Sequence, residues 1–417
     1  MGIRGAAIAG VSGLRTAIRE HAGGLPRPFW VLWTGTLINR MGTFVLPFLA
    51  LYLTQRRGFS VAQAGMVASL YGVGGALANL IGGYLADRIG RRFVMILALG
   101  LGGACMIGLG FAQRIEVIAP AAFMVALITE MYRPGMQAAL TDLVPPGDRT
   151  RAFGLIYWVI NLGFAIALVL AGLLSTISYL LLFVGDGLTS MLFAFIVWRG
   201  VPETRPPRIE HAPHLPRASG LTEFLAPFRD GVFMMFIGLM FLFAVMFMQH
   251  MLALPLDMAA HGISKPMFGA IIAMNGALIV VLQPLLMPVI ARHNHSRVLA
   301  LGAVIVGIGF GLNAIARTAP IYALGVIIWT IGEIGALPMG NTVVADLAPA
   351  QLRGRYQGTY GLVFGLAVCT APAVGSLVLQ RFGATALWVG CLGTGLVLAA
   401  GQLALERRLS RAREARA

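Results

Sequence analysis

Twelve apolar runs, interrupted by short polar gaps, account for most of this 417-residue chain. They lie near residues 29–53, 61–85, 93–112, 118–141, 152–176, 179–198, 231–257, 266–290, 298–316, 320–343, 355–378 and 385–405. A bilayer core about 30 Å thick needs roughly 20 apolar residues per helical crossing. Inside lipid every backbone polar group must be satisfied within the segment, which selects helices for runs of this kind. Composition removes the rivals. The chain is 58% hydrophobic and 11% charged, against about 25% charged for soluble domains, so a water-soluble globular fold is excluded. Disorder is excluded too, because it needs low hydrophobicity and high charge.

The net charge of +15 comes almost wholly from arginine, Lys265 being the one lysine. The basic residues form no aromatic-interleaved face, so no nucleic-acid partner is expected. They sit in the gaps between runs. Arg56, Arg57, Arg114, Lys265, Arg317 and Arg381 fall in gaps on one side, Arg40 and Arg133 fall within runs, and the rest gather on the other side. The positive-inside rule makes that richer side cytoplasmic. The expectation is a multi-pass protein of the plasma (cytoplasmic) membrane with both termini in the cytoplasm. Cys105, Cys369 and Cys391 all lie within apolar runs and read as packing residues, without zinc spacing or a disulfide framework.

The pattern breaks once, at residues 199–230, where Pro202, Pro206, Pro207, Pro213 and Pro216, several charges, His211 and His214 form a polar linker. The expected organisation is a basic cytoplasmic segment (1–28), a six-helix bundle (29–198), the cytoplasmic linker (199–230), a second six-helix bundle (231–406) and a basic tail (407–417). In the first segment Arg15 and Arg19 interrupt any signal-peptide core; an interfacial helix and a frayed tail are both open readings there.

The two halves repeat. Asp142-Leu143-Val144-Pro145 with Arg149, Arg151 and Gly154 aligns with Asp346-Leu347-Ala348-Pro349 with Arg353, Arg355 and Gly358 at a constant offset of 204 residues, and Pro134 matches Pro338. Parallel repeats of this kind place a central site between the halves near the bilayer midplane. Asp142, Arg149, Arg151, Asp346, Arg353 and Arg355 are read as a symmetric gate loop.

The second gap on the basic side reads Gly83-Tyr84-Leu85-Ala86-Asp87-Arg88-Ile89-Gly90-Arg91-Arg92. It resembles the loop signature G-x-L-A-D-R-x-G-R-R of the major facilitator superfamily, and the six-plus-six layout extends the resemblance over nearly the whole chain. The resemblance implies an all-α membrane protein, with twelve transmembrane helices in two pseudo-symmetric bundles. It also implies that this loop acts as a conformational latch, a role carried onto Asp87 and Arg91. Gly83 would permit close helix approach, Gly90 belongs to the same latch signature, and Arg88, Arg91 and Arg92 would hold the loop at the surface. The pseudo-equivalent stretch Ala291-Arg292-His293-Asn294-His295 lacks the acid, so a latch that depends on the carboxylate is one-sided.

Ionisable residues inside apolar runs cost about 2.5–3.5 kcal/mol near a helix centre, so each is expected to face a cavity or a partner. Glu333, in Gly332-Glu333-Ile334 with Pro338 following, lies well inside the tenth run. Carboxylates buried away from water exchange a proton closer to neutral pH than exposed ones, which suits a proton carrier. The G-E-x4-P arrangement resembles the tenth helix of drug/proton antiporters and proton-coupled peptide symporters; a structural carboxylate satisfied by arginine is the other reading. Asp186 and Glu130 are auxiliary candidates. Glu130 and Arg133 share a helix face and are open to exchange of partners or to a permanent structural pair. Arg40, beside Asn39, is read as seeking an anion: a carboxylate such as Asp186 or Glu130, or a substrate group.

In the antiporter branch the fifth helix carries a Gly-Pro pair followed by Gly-Gly. Here Gly163 and Gly172 keep small residues without the proline, which appears instead as Pro372, with Gly375, in the eleventh run. These four are expected to serve helix packing. No phosphate-binding G-x4-G-K-[ST], H-E-x-x-H or G-x-S-x-G motif is present, so no enzyme activity, metal or cofactor is expected, and energy must come from a gradient. The expectation is a monomeric multidrug-type carrier exporting a small apolar or amphipathic molecule against protons. A proton symporter, a uniporter and a non-transporting membrane receptor are the alternatives.

Overall fold

The computed structural model describes residues 23–45, 49, 52–206 and 224–414, all of them helical or in connecting turns. Most of the expected N-terminal segment, the middle of the linker and the last three residues lie outside the described residues. The helices are α1 (Arg27–Met41), α2 (Val61–Ile89), α3 (Arg91–Phe111), α4 (Ile115–Glu130), α5 (Tyr132–Leu143), α6 (Arg149–Ile177) and α7 (Tyr179–Gly200) before the linker. After it come α8 (Gly231–Phe247), α9 (Gln249–Ala260), α10 (Lys265–Ile290), α11 (His295–Gly311), α12 (Ala319–Leu347) and α13 (Arg353–Glu414).

Ten helical stretches among the described residues are long and apolar enough to cross a membrane. The last, Ala350–Ala412, has 63 residues, and at about 1.5 Å each it is roughly three bilayer cores long. It bends at Gly383 (φ 81°, ψ 171°), a conformation only glycine adopts without strain, so α13 holds two crossings. The first expected run shows 15 helical residues in α1, and residues 46–48, 50 and 51 beyond it are not among those described.

Two crossings are each made of two helices. α4 and α5 meet at Met131, near the middle of Ile115–Leu143. Pro134 explains the break: its ring carries no N–H for the carbonyl of Glu130 and crowds it. α8 and α9 meet in the same way at Met248. Buried apolar residues group largely by half, with one large cluster from Phe233 to Leu409 and two from the N-terminal half, one of which also takes in Ala345.

The halves meet along a seam of small residues. A Cβ on Gly354 or on Gly83 would strike the other's carbonyl, one on Gly358 would strike the Asn79 carbonyl, and one on Gly365 would press on Ala76 at 3.0 Å. This seam lets α2 and α13 approach backbone to backbone, as small residues do between membrane helices. Alongside it, α6 packs on α10 and α12 of the opposite half.

Candidate functional site between the halves

Glu333 is the central residue of the 29-residue α12 and is only 3% exposed. Tyr157 of α6, in the other half, donates its hydroxyl to Glu333 Oε1. Asn275 Nδ2 of α10 donates to Oε2 at 2.7 Å and to Thr330 Oγ1 at 3.0 Å. Among the described residues no guanidinium, ammonium or imidazole pairs with this carboxylate. Its environment is therefore made of neutral donors, one of them borrowed across the interface. Trp158 Nε1 donating to the Val280 carbonyl (2.8 Å) and Gln283 Nε2 donating to the Gly154 carbonyl (2.7 Å) fix α6 against α10 around it. The Tyr360 hydroxyl, the Gln283 amide oxygen and the Asn341 amide oxygen are buried without a hydrogen-bond partner. Such atoms are places for water or a solute group.

A second polar centre lies wholly inside the N-terminal half. Asn39, Arg40, Tyr71, Glu130, Tyr132 and Asp186 help line a cavity of about 40 Å3, enough for a few waters. Arg133 pairs with Glu130, Nη2 to Oε1 at 3.1 Å. Asn39 Nδ2 donates to Ser190 Oγ at 3.0 Å. The carboxylate expected for Arg40 is not what its guanidinium grips: Nη2 donates to the Tyr132 hydroxyl at 2.5 Å. Asp186 instead accepts from the Val45 amide at 3.4 Å. The chain ends α1 at Gly42, and the non-helical turn exposes backbone N–H groups that satisfy this acid. Arg40 and Asp186 face each other only across the small cavity.

The third site closes the arginine-rich end. Asp87, its side chain 0% exposed, accepts from the backbone amides of Gly354 (2.8 Å) and Arg355 (2.9 Å). These are among the first N–H groups of α13, so the acid of one half caps a helix of the other, where the dipole also favours negative charge. Arg91, fully buried, donates to the Ala350 carbonyl at 2.8 Å and pairs with Asp142. Arg355 lies over the Tyr84 ring at 5.0 Å, and Arg88 donates to the Tyr84 hydroxyl at 2.6 Å. Arg92 donates to the Trp198 carbonyl.

The sequence repeat acquires a geometric meaning here. Asp142 pairs with Arg353, and Arg149 Nη1 pairs with Asp346 Oδ1 at 2.8 Å. Each acid takes the arginine of the opposite repeat, so the two bonds are images of one another. Arg151 departs from the pattern, pairing locally with Asp148 at 3.1 Å.

Two of the glycines read as packing residues have close neighbours. A Cβ on Gly163 would meet Arg40 Cβ at 2.5 Å, and one on Gly375 would meet the Gln249 amide; Gln249 Nε2 itself donates to the Ala371 carbonyl beside Pro372 at 3.1 Å. For Gly172 the helical backbone alone is described. Three contributors escaped the sequence reading. Tyr157 gave no signal there, whereas Asn275 is an amide inside an apolar run and was detectable by the argument used for charges. Glu203 was hidden in the linker: its carboxylate accepts from the Arg91 (3.0 Å) and Arg92 (3.2 Å) amides, and a Cβ on Gly90 (φ 116°) would strike it. A further acid, Asp257, accepts from Tyr322 and Trp388, both at 2.9 Å, with His261 at 3.5 Å.

With this geometry established, comparison with known proteins adds the following. The sequence model of the Major Facilitator Superfamily matches residues 32–256 and 241–416. An uncharacterized MFS-type transporter of Bacillus subtilis, YttB, is 26% identical over 94% of this chain and 98% of its own length. A Na(+), Li(+), K(+)/H(+) antiporter of Planococcus maritimus is 23% identical over 80% of this chain and 85% of its own. The quinolone resistance protein NorA of Staphylococcus aureus is 23% identical over 41% of this chain and 44% of its own. In structure, the human organic anion transporter MFSD10 superposes with a TM-score of 0.73 at 17% identity, covering 90% of this chain and 99% of that one.

Proposed function

Because the chain belongs to the major facilitator superfamily and is a membrane-spanning transporter, we propose that it exchanges protons for a small apolar or amphipathic organic molecule by alternating access. The single observation that carries this reading is Glu333. It sits at the middle of α12, shielded from water, held by neutral donors, and one of those donors, Tyr157, belongs to the opposite half. A carboxylate held this way is ionised or neutral according to whether the cavity between the halves is wet and to which side it opens. Loading a proton and rocking the halves are then one coupled event.

In this scheme the arginine-rich end is cytoplasmic, the membrane is the plasma membrane and the protein works as a monomer. The Asp87 cap, Arg91 and the reciprocal pairs Asp142–Arg353 and Arg149–Asp346 form the inner gate, closed in this conformation. Asp186 and Glu130 are auxiliaries: with Arg40 and Arg133 they keep the N-terminal cavity polar and charge-matched next to the transport route. Export is supported by the antiporter named above and by the resistance protein matched over part of the chain. The buried Tyr360 hydroxyl and the Gln283 and Asn341 amide oxygens, without partners of their own, supply a few fixed polar contacts for a solute.

The test is proton and solute flux in proteoliposomes across a panel of lipophilic cations, neutral compounds and alkali cations. The expected result is proton release coupled to uptake of at least one organic compound, lost in Glu333→Gln while downhill exchange survives. Gradient-driven movement that persists in Glu333→Gln would overturn the assignment. Solute and protons moving in the same direction would replace export by symport.

A further inference from the structure

On the outer face of the C-terminal half, α10, α11 and α12 leave an apolar groove of about 350 Å3. Its walls include Leu286, Val289, Leu301, Ile305 and Ile331, of which Leu301 is 62% and Val289 57% exposed. Its floor is glycine. A Cβ on Gly302 would meet the Gly332 carbonyl at 3.0 Å, so α11 and α12 touch there, whereas one on Gly335 would reach Val298 only at 3.6 Å, so the hollow exists because Gly335 has no side chain.

The groove has a charged mouth. His293 and Arg297 stand at its arginine-rich end. Arg297, 72% exposed in its side chain, is shared with an adjoining polar pocket of about 670 Å3 that also contains Glu406, Arg407, Ser410 and Arg411. Glu406 Oε1 lies 3.4 Å from Arg297 Nε and offsets one charge, leaving three arginines against one carboxylate. From Arg297 to Ile305 is eight residues of α11, about 12 Å at 1.5 Å per residue. One leaflet of hydrocarbon is about 15 Å deep, half of the bilayer core. An apolar slot of one leaflet's depth, with guanidiniums at its rim, matches a lipid whose phosphate accepts paired N–H donors and whose chain lies in the slot.

We propose that this face is a binding site for one anionic phospholipid, with its phosphate on Arg297, Arg407 and Arg411 and one acyl chain along Leu301 and Ile305 over Gly335. The site lies on the far side of α12 from the Tyr157–Glu333 contact, so its occupant braces the helix that carries the exchanging carboxylate. The assignment does not depend on the direction of transport or on proton coupling.

The test is native mass spectrometry of the intact protein released from nanodiscs of equal phosphatidylglycerol and phosphatidylcholine with identical chains. The wild type is expected to retain one phosphatidylglycerol preferentially. Arginines near the surface contribute about 1 kcal/mol each to anionic-lipid attraction, so Arg297→Ala/Arg407→Ala/Arg411→Ala is expected to lose about tenfold or more of the preference. The Arg→Lys triple variant, which keeps the charge, is expected to retain most of it and controls for misfolding. Gly335→Leu, which fills the slot, is expected to reduce retention of both lipids. Equal retention of the two lipids by the wild type would overturn the proposal. So would displacement of the adduct by free glycerol phosphate with no effect of Gly335→Leu, which would make this a soluble-anion site. Displacement by a transported compound would likewise overturn it, by making the groove part of the solute route.

Discussion

The two halves bury acid in opposite ways. In the N-terminal half, Glu130 and Asp186 share their surroundings with Arg40 and Arg133, and every partner they use comes from the same half. In the C-terminal half, Glu333 has no cation beside it among the described residues and takes one of its two donors from α6 across the interface. When two rigid bundles rock, the first set of contacts travels as a unit and the second must change. In the proposed cycle the matched cluster keeps its partners, whereas Glu333 exchanges one of its donors as the halves move.

The largest expected effect comes from removing that one asymmetric group: Glu333→Gln abolishes solute accumulation driven by a pH gradient, measured as vesicle uptake, while solute exchange without a gradient continues. The gate follows. Losing a hydrogen bond to a charged group costs about 1.5–3 kcal/mol, so Asp346→Ala, which removes the carboxylate that Arg149 Nη1 pairs with and leaves only the Thr141 carbonyl for Nη2, is expected to shift the gate's open population by roughly ten- to a hundredfold. Single-molecule distances across the arginine-rich end read this shift, and the swap Asp346→Arg/Arg149→Asp is expected to restore much of the closed state. Tyr157→Phe removes the donor that crosses the halves and is expected to slow turnover and change its pH profile without abolishing coupling. The smallest effect is expected at the matched cluster. Asp186→Asn keeps an acceptor for the Val45 amide, so its stability in detergent should stay within about 1 kcal/mol of wild type and its proton-to-solute ratio should not change. A changed ratio would erase the distinction between the halves.

Much of this architecture was legible in the sequence. The apolar runs located the ten helical stretches among the described residues that are long enough to cross a membrane, and the 204-residue repeat singled out six residues, four of which form the reciprocal pairs. Which arginine meets which acid was not legible, because a repeat is silent about whether its two copies bond within themselves or to each other. The break at Met131 was encoded by Pro134 but hidden inside an unbroken apolar run. The hydrogen-bond partner of Arg40 was not legible: charge counting finds carboxylates and overlooks the Tyr132 hydroxyl that the guanidinium uses. Tyr157 was invisible because these helices are apolar on nearly every face, so no polar stripe fixes how α6 is rotated toward α12.

The most direct test of the account is a distance measured between spin labels at Gly147→Cys and Gln351→Cys, exposed positions on the two gate loops related by the same repeat, with the exposed Cys369 replaced. Protonation neutralises Glu333 and weakens the bond from Tyr157, so acidification is expected to lengthen this distance as the arginine-rich end opens. The account predicts that the pH response is present in the wild type and absent in Glu333→Gln; an unchanged response in Glu333→Gln would contradict it.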